Sequence, residues 1–177
     1  MSVKKTVLLV MSAALLGGCA MQHARPDLTP PSQQQIHAKL AAQLQKNNVQ
    51  VVQVGQTFRI ILSSDLLFEP NSANIKNAYV NTVMPMIAQF IRAYDKPSVS
   101  VTAYSADGSN TAVLLALTNR QAQVISSELW LNNINARLLS AQGKANQDSI
   151  SSNQTPHGRY ANNRVEIQFR YEVAGVM

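Results

Sequence analysis

The chain has a single cysteine, Cys19, which directly follows an apolar segment near the N-terminus. No disulfide can form within the chain, so the part after Cys19 must be held together by its own apolar core. The apolar segment covers residues 7–16 and comes after Lys4 and Lys5. At about ten residues it is too short to cross a bilayer as a helix, and it is typical of an export signal.

The export signal ends in Leu16-Gly17-Gly18-Cys19. Small residues before a cysteine let the chain lie extended in a peptidase cleft, and the thiol is the acceptor for a diacylglyceryl group. This order of residues resembles the bacterial lipobox. The resemblance implies that residues 1–18 are a lipoprotein signal peptide and that Cys19 is the lipidation site, so the first expected partner is a membrane. The alternative is an ordinary buried cysteine in a short core helix.

The charge of the chain argues against nucleic-acid binding. The sequence has 15 Lys+Arg against 9 Asp+Glu, and without Lys4 and Lys5 the net charge falls from +6 to +4. This excess is not clustered in a Lys/Arg run, and no zinc-finger spacing is present. A mild positive charge is compatible with acidic envelope polymers or phospholipid head groups.

Motifs for catalysis are absent from the sequence. It contains no Gly-x-Ser-x-Gly, no His-Glu-x-x-His and no glycine-rich phosphate loop. The three histidines, His23, His37 and His157, lie in separate segments without a nearby acidic pair or cysteine. We therefore predict that the protein is not an enzyme and that it uses no cofactor and no metal.

The part that follows Cys19 divides into a tether, a helix and a domain. Residues 19–35 contain Pro26, Pro30 and Pro31 among polar residues, which predicts a lipidated, flexible spacer. Residues 36–48 form a short predicted helix, with apolar residues at helical spacing and Asn47-Asn48 as its stop. The domain is then predicted to cover residues 49–173.

Within this domain, β-branched residues at 49–54 and 57–62 flank Gly55-Gln56 and predict a hairpin. Apolar residues recur at helical spacing from 75 to 94, and Pro85 inside this pattern predicts a kink or a break. The later segments read as strand 99–104, a helix over 113–129, short strand 137–141, a long polar loop over 142–162 and strand 164–172. Helices on one face of a mixed sheet make an α/β two-layer sandwich.

Three stretches of sequence then resemble the C-terminal domain of the OmpA family. They are Asp65-Leu66-Leu67-Phe68, Leu117-Thr118-Asn119-Arg120-Gln121-Ala122 and the stretch from Asn153-Gln154-Thr155-Pro156-His157-Gly158-Arg159 to Asn162-Asn163-Arg164-Val165-Glu166-Ile167. The last is similar to the family pattern Asn-x-Thr-Pro-x-Gly-Arg-x-x-Asn-Arg-Arg-Val-Glu-Ile. The resemblance implies a βαβαββ fold and binding to the peptide stem of peptidoglycan.

Members of the family bind the diaminopimelate of the stem with an arginine, which pairs with its carboxylate, and an aspartate, which pairs with its amine. By the resemblance, the family aspartate falls on Ala106, with Asp107 one place later, and the family arginine falls on Gln121, with Arg120 one place earlier. A tentative peptidoglycan site therefore consists of Asp107, Arg120 and Arg164. The alternative is that Asp107 caps a turn and Arg120 is a solvated charge, since one step along a helix turns a side chain by about 100°.

The chain has the predicted order lipid anchor, helix, extra strand and domain. In this layout it is most similar to lipoproteins of type IVB (Dot/Icm) secretion systems, which implies other secretion-complex subunits as partners. The chain would then be a structural subunit of that complex. The alternative function is a general lipoprotein that anchors the envelope by binding peptidoglycan. Ala20, in place of the aspartate associated with inner-membrane retention, favours the outer membrane, with the domain facing the periplasm.

The lipid anchor can be tested by replacing the acceptor thiol. Cys19→Ser should leave an unprocessed precursor that is not acylated, because serine offers no thiol for the diacylglyceryl group. Mass spectrometry and detergent partitioning of the two proteins measure this. A Cys19→Ser protein that still matures at residue 19 and partitions like the wild type would show that the lipoprotein interpretation is wrong.

Overall fold

The computed structural model describes residues 33–94, 97–106 and 111–171 of the chain. The predicted signal peptide, Cys19 and nearly all of the predicted tether lie outside these residues, as does Asp107. None of the helices in the described ranges is both long and apolar enough to cross a membrane.

Five helices and five strands, with one short 3-10 turn, make up the described fold. The helices are α1 (Gln33–Lys46), α2 (Ser64–Leu67), α3 (Asn77–Arg92), α4 (Thr111–Leu131) and α5 (Pro156–Asn162), and the 3-10 turn is Ala136–Leu138. The strands are β1 (Gln50–Val54), β2 (Thr57–Ser63), β3 (Ser98–Tyr104), β4 (Leu139–Gly143) and β5 (Arg164–Arg170).

The strands form one mixed sheet in the order β1-β2-β5-β3-β4. Strand β5, the last of these in the chain, lies between β2 and β3 and is antiparallel to both. Strands β1 and β2 form the predicted hairpin, and Gly55 in its turn has φ +58, where glycine carries no steric penalty. Among the strands of the described ranges, β3 and β4 are the one parallel pair. The α/β fold with a mixed sheet is thereby confirmed.

The core lies between the sheet and the helices α3 and α4. Val165, Ile167 and Phe169 alternate along β5 and are fully buried. In the register of the sheet, Ile167 lies between Ile60 of β2 and Val101 of β3. These strand residues belong to one apolar cluster with side chains of α3 and α4. The apolar residues that alternate along the strands and those at helical spacing along α3 therefore face the same core.

Helix α1 packs into this same core. Leu40 and Leu44 belong to the core cluster. The helix ends at Lys46, and Asn48, two residues later, takes up the left-handed conformation at φ 59, which asparagine tolerates better than most residues. The hydroxyl of Tyr79 donates to the carbonyl oxygen of Asn47 at 2.8 Å. Burial raises the pKa of Tyr79 to about 12, with a further contribution from Tyr160, so the donor stays protonated at neutral pH.

Of the predicted kink or break at Pro85, the break does not occur, because α3 continues through it from Asn77 to Arg92, and the kink stays a prediction. Pro85 lies on the exposed side of the helix, whereas Met84 and Ile87 beside it are fully buried. Burial of the apolar face on both sides of the proline offsets the loss of one backbone hydrogen bond.

The predicted polar loop over 142–162 is also partly wrong, because its last seven residues form α5. The side chain of Thr155 caps this helix by accepting from the amide of Gly158 at 3.0 Å, and Pro156 occupies its first turn. A helix this short shows no apolar period. The four-residue helix α2 was missed for the same reason.

The position of β5 can be tested with a charge in its buried face. Ile167→Asp should unfold the domain or cost more than about 3 kcal/mol, since it removes a buried side chain and buries an unpaired carboxylate. Val54→Asp is the matched control, because Val54 is also a strand residue but is 75% exposed. Thermal melts measure both. An Ile167→Asp protein as stable as Val54→Asp would show that β5 is misplaced.

Candidate functional site

A cavity of about 700 Å³ opens at the end of the sheet where β2 and β3 finish and β5 begins. Four parts of the chain surround it: α2 with the loop that follows, the end of β3, the middle of α4, and α5 with its flanking residues. Its lining includes Ser64, Asp65, Phe68, Glu69, Pro70, Asn71, Lys76, Tyr104, Ser105, Ala106, Leu117, Gln121, Asn153, Arg159 and Asn163.

Gln121 is the polar residue that α4 presents to the cavity, together with the apolar Leu117. It lies on the buried side of the helix at 6% exposure, and its side-chain Nε2 donates to the carbonyl oxygen of Ser72 at 2.8 Å. Arg120, one step earlier, is exposed and does not line the cavity. The helical step thus separates the two side chains, as expected for adjacent residues of an α-helix.

Ala106 forms the wall of the cavity at the end of β3. Its backbone amide donates to Oδ1 of Asn163 at 2.6 Å, and the residue is 5% exposed. The carbonyl oxygen of Asn163 in turn accepts from the amide of Ser64 at 3.0 Å. Asn163 therefore joins the ends of β2 and β3 to the start of β5. Asp107 lies outside the described residues, so its predicted role stays a prediction.

Arg164 is buried at 2% exposure, and its guanidinium contacts groups of the protein itself. Its Nε donates to Oε1 of Glu166 at 2.7 Å, and its Nη2 donates to the carbonyl oxygen of Asp148 at 3.0 Å. The guanidinium also lies over the ring of Tyr104, 3.8 Å from the centroid. These contacts tie the loop before α5 to the sheet, and Arg164 is not part of the cavity lining.

Tyr104 connects this cluster to the cavity. Burial raises the pKa of its hydroxyl, and the carboxylate of Glu166 raises it further, while Lys144 and Arg164 act in the opposite direction. Nearby, Nζ of Lys144 lies 2.7 Å from Oδ2 of Asp148. This hydrogen bond lowers the pKa of Asp148 and holds the exposed end of the loop in place.

The wall on the side of α5 is built by the stretch from Asn153 to Ile167, the closing motif of the sequence. Gly158 is required because a Cβ there would collide with the backbone carbonyl of Ser152. Asn162 is 1% exposed, and its Oδ1 accepts from the amides of Ile150 and Ser151. Its Nδ2 donates to the carbonyl oxygen of Ser151 and to Oδ1 of Asn153. All four hydrogen bonds of this side chain are satisfied, so it fixes the loop firmly.

The charged groups of the cavity stand at its rim, and the sequence interpretation did not identify them as site residues. Lys76 and Arg159 are the cations, and Asp65 and Glu69 are the carboxylates. Nζ of Lys76 donates to the carbonyl oxygen of Asp65 at 2.8 Å, and Nη1 of Arg159 donates to that of Asn153 at 3.0 Å. Each cation thus retains further donors for a ligand. The one sequence signal for these rim residues was that Arg159 belongs to the closing motif.

Known proteins are similar in sequence to this chain. Residues 67–163 match the OmpA family, a stretch that includes Ala106 and Gln121. The chain is 28% identical over 130 residues to the "Probable lipoprotein YiaD" of Escherichia coli, a match that covers 73% of this chain and 59% of that protein. It is 24% identical over 110 residues to "Outer membrane protein A" of Bordetella avium, covering 62% and 56%. The chain thus spans less than two thirds of the length of these curated relatives.

Solved structures share the fold. The cell wall anchor of the T6SS from Pseudomonas aeruginosa superposes with a TM-score of 0.68 at 24% identity, covering 76% of this chain and 96% of that one. The periplasmic domain of MotB from Helicobacter pylori gives a TM-score of 0.62 at 24% identity, covering 71% and 83%.

Proposed function

The chain belongs to the OmpA family, and on that premise we propose that it is a lipid-anchored envelope protein whose cavity holds the peptide stem of peptidoglycan. One observation carries the proposal. The two positions that correspond to the ligand-binding aspartate and arginine of the family, Ala106 and Gln121, both line the cavity. On this proposal, the place of the ligand is retained although both charged side chains are replaced.

The rim of the cavity supplies charges that suit a peptide stem. Lys76 and Arg159 offer donors to carboxylates, and Asp65 and Glu69 accept from an ammonium group. None of these four side chains is paired in a salt bridge with another described residue. A ligand that carries charges of both signs would therefore meet unpaired partners of both signs.

The set of Asp107, Arg120 and Arg164 remains a competing arrangement for the same ligand. Arg120 is exposed on α4, so it would meet a stem that lies across the helix and not one that enters the cavity. Arg164 already contacts Glu166 and Asp148 and would have to exchange them for the ligand. These contacts favour the rim residues over this set.

Attachment to the envelope forms part of the proposal. Cys19 would carry the lipid, in the outer membrane, with the domain facing the periplasm. The name of the Escherichia coli relative, a probable lipoprotein, supports the anchor. Residues 20–32, between Cys19 and α1, would then give the domain the reach to contact the wall.

A second candidate function is that of a structural subunit in a type IVB secretion complex, as for the lipoprotein called DotK or IcmN. The supporting observation is that α1 and β1 precede the matched family region and are built into the domain. Strand β1 extends the sheet by pairing with β2, and Leu44 of α1 is fully buried. These elements give the domain a surface that the matched region alone lacks, which suits an assembly partner.

Binding to the wall can be measured by sedimenting the full chain, purified in detergent, with peptidoglycan sacculi. The wild type should sediment, and Lys76→Ala should weaken binding by about 1.5–3 kcal/mol, or roughly ten- to a hundred-fold, through loss of one charge-assisted contact. Lys46→Ala is the matched control, because Lys46 is exposed at the end of α1.

The result also separates the competing arrangements. Arg120→Ala should leave retention unchanged if the cavity is the site. Loss of retention in Arg120→Ala, with none in Lys76→Ala, would support the set with Asp107 instead. A wild type that stays in the supernatant would contradict wall binding and favour the structural-subunit function.

A further inference from the structure

The inner wall of the cavity carries no charge. Its buried lining residues are Ser64, Phe68, Tyr104, Ala106 and Gln121, and the half-buried Asn163 stands beside Ala106. The charged lining residues lie further out: Asp65, Glu69 and Arg159 are exposed and Lys76 is half-buried. A ligand that enters the cavity therefore passes a charged rim and ends against neutral hydrogen-bonding groups.

The amide of Gln121 has a defined orientation. The carbonyl oxygen of Ser72 can only accept, so the group that contacts it at 2.8 Å must be the amide nitrogen, Nε2. Its other terminal atom, Oε1, is an acceptor, and no donor to it is found among the described residues. Gln121 thus offers an acceptor to whatever enters the cavity.

A donor on the same wall complements this acceptor. Oδ1 of Asn163 is occupied by the amide of Ala106, which leaves its Nδ2 as the group available to a ligand. The hydroxyl of Ser64 takes no part, because its oxygen is buried away from the open space of the cavity.

From these groups we propose that the part of the ligand that reaches the inner wall is an uncharged carboxamide, so that the cavity prefers a peptide stem whose diaminopimelate carboxyl is amidated. This inference rests on the proposed function. A carboxamide donates N–H to Oε1 of Gln121 and accepts from Nδ2 of Asn163. A carboxylate has only acceptors, so it would face Oε1 unfavourably and lose its hydration without a cation beside it.

The charged rim should bind the amidated and the free form of the stem equally well. It would hold the charges that both forms of the stem share, including the free carboxylate at the end of the peptide. The inner wall should therefore distinguish the two forms of the stem, because the groups that reach it differ by one charge and by the direction of one hydrogen bond.

Two synthetic stem peptides that differ only in a free or amidated diaminopimelate side-chain carboxyl provide the test. Isothermal titration of the full chain in detergent should show the amidated peptide binding at least about ten-fold more tightly, which corresponds to one well-made hydrogen bond. Gln121→Arg should reverse this preference. Gln123→Arg makes the same change at an exposed position two residues along α4 and should leave the preference intact.

A second variant guards against misfolding of Gln121→Arg, because arginine is larger than the buried residue it replaces. Gln121→Met is close in size to the native residue and removes the acceptor Oε1, so the domain should fold and melt close to the wild-type temperature. Its preference for the amidated peptide should be several-fold smaller than that of the wild type.

The outcomes distinguish this inference from the proposed function. Equal affinity for the two peptides, or tighter binding of the free carboxyl form, would overturn the preference for an amide and leave wall binding intact. Binding of neither peptide would overturn both.

Discussion

Strand β5 pairs along its whole length with β2 on one side and with β3 on the other, although it comes last of the strands in the chain. This pairing brings Asn163, at the entry to β5, between the ends of both neighbours, where it accepts from the amides of Ser64 and Ala106. The cavity exists because three distant segments are held together at that point. Its walls therefore depend on the central strand and not on local sequence.

Buried polar groups complete this arrangement on the other face of β5. Arg164 and Glu166 form an ion pair at 2.7 Å with both side chains nearly inaccessible to solvent, and Nε of Arg59 lies 3.5 Å from the second oxygen of Glu166. Such a pair is a weak source of net stability but costs much to break. The contact of Arg164 with the carbonyl oxygen of Asp148 instead gives it a positional role, because it fixes the loop that leads to α5.

Sequence patterns predicted the helices and strands that have a local turn signal or a periodic spacing of apolar residues. The hairpin of β1 and β2, the helices α3 and α4 and the alternating strand β5 all follow from apolar spacing. Helix α5 did not, because it depends on the Thr155 cap and on the close approach of Gly158 to Ser152. The sequence left open whether α3 is kinked or broken at Pro85, because the local preference of proline is weighed against core packing that forms only on folding.

The candidate site was predictable only in part. The resemblance located Ala106 and Gln121, and the helical step explained why Arg120 could not replace Gln121. Lys76 and Arg159 lie 83 positions apart in the numbering of the chain and meet at one rim only after folding. The free acceptor Oε1 of Gln121 carried no signal in the sequence, because it depends on the contact of Nε2 with the carbonyl oxygen of Ser72, which forms only on folding.

The claim that the cavity is the ligand site is tested most directly by nuclear magnetic resonance of the isotope-labelled full chain in detergent. On titration with a stem peptide, the side-chain amide signals of Gln121 and Asn163 and the backbone amide of Ser64 should shift together and saturate at the same peptide concentration. The side-chain amide of Gln123, exposed on the same helix, should not move. Shifts confined to Gln123 and Arg120, with those of Gln121, Asn163 and Ser64 unchanged, would contradict the account.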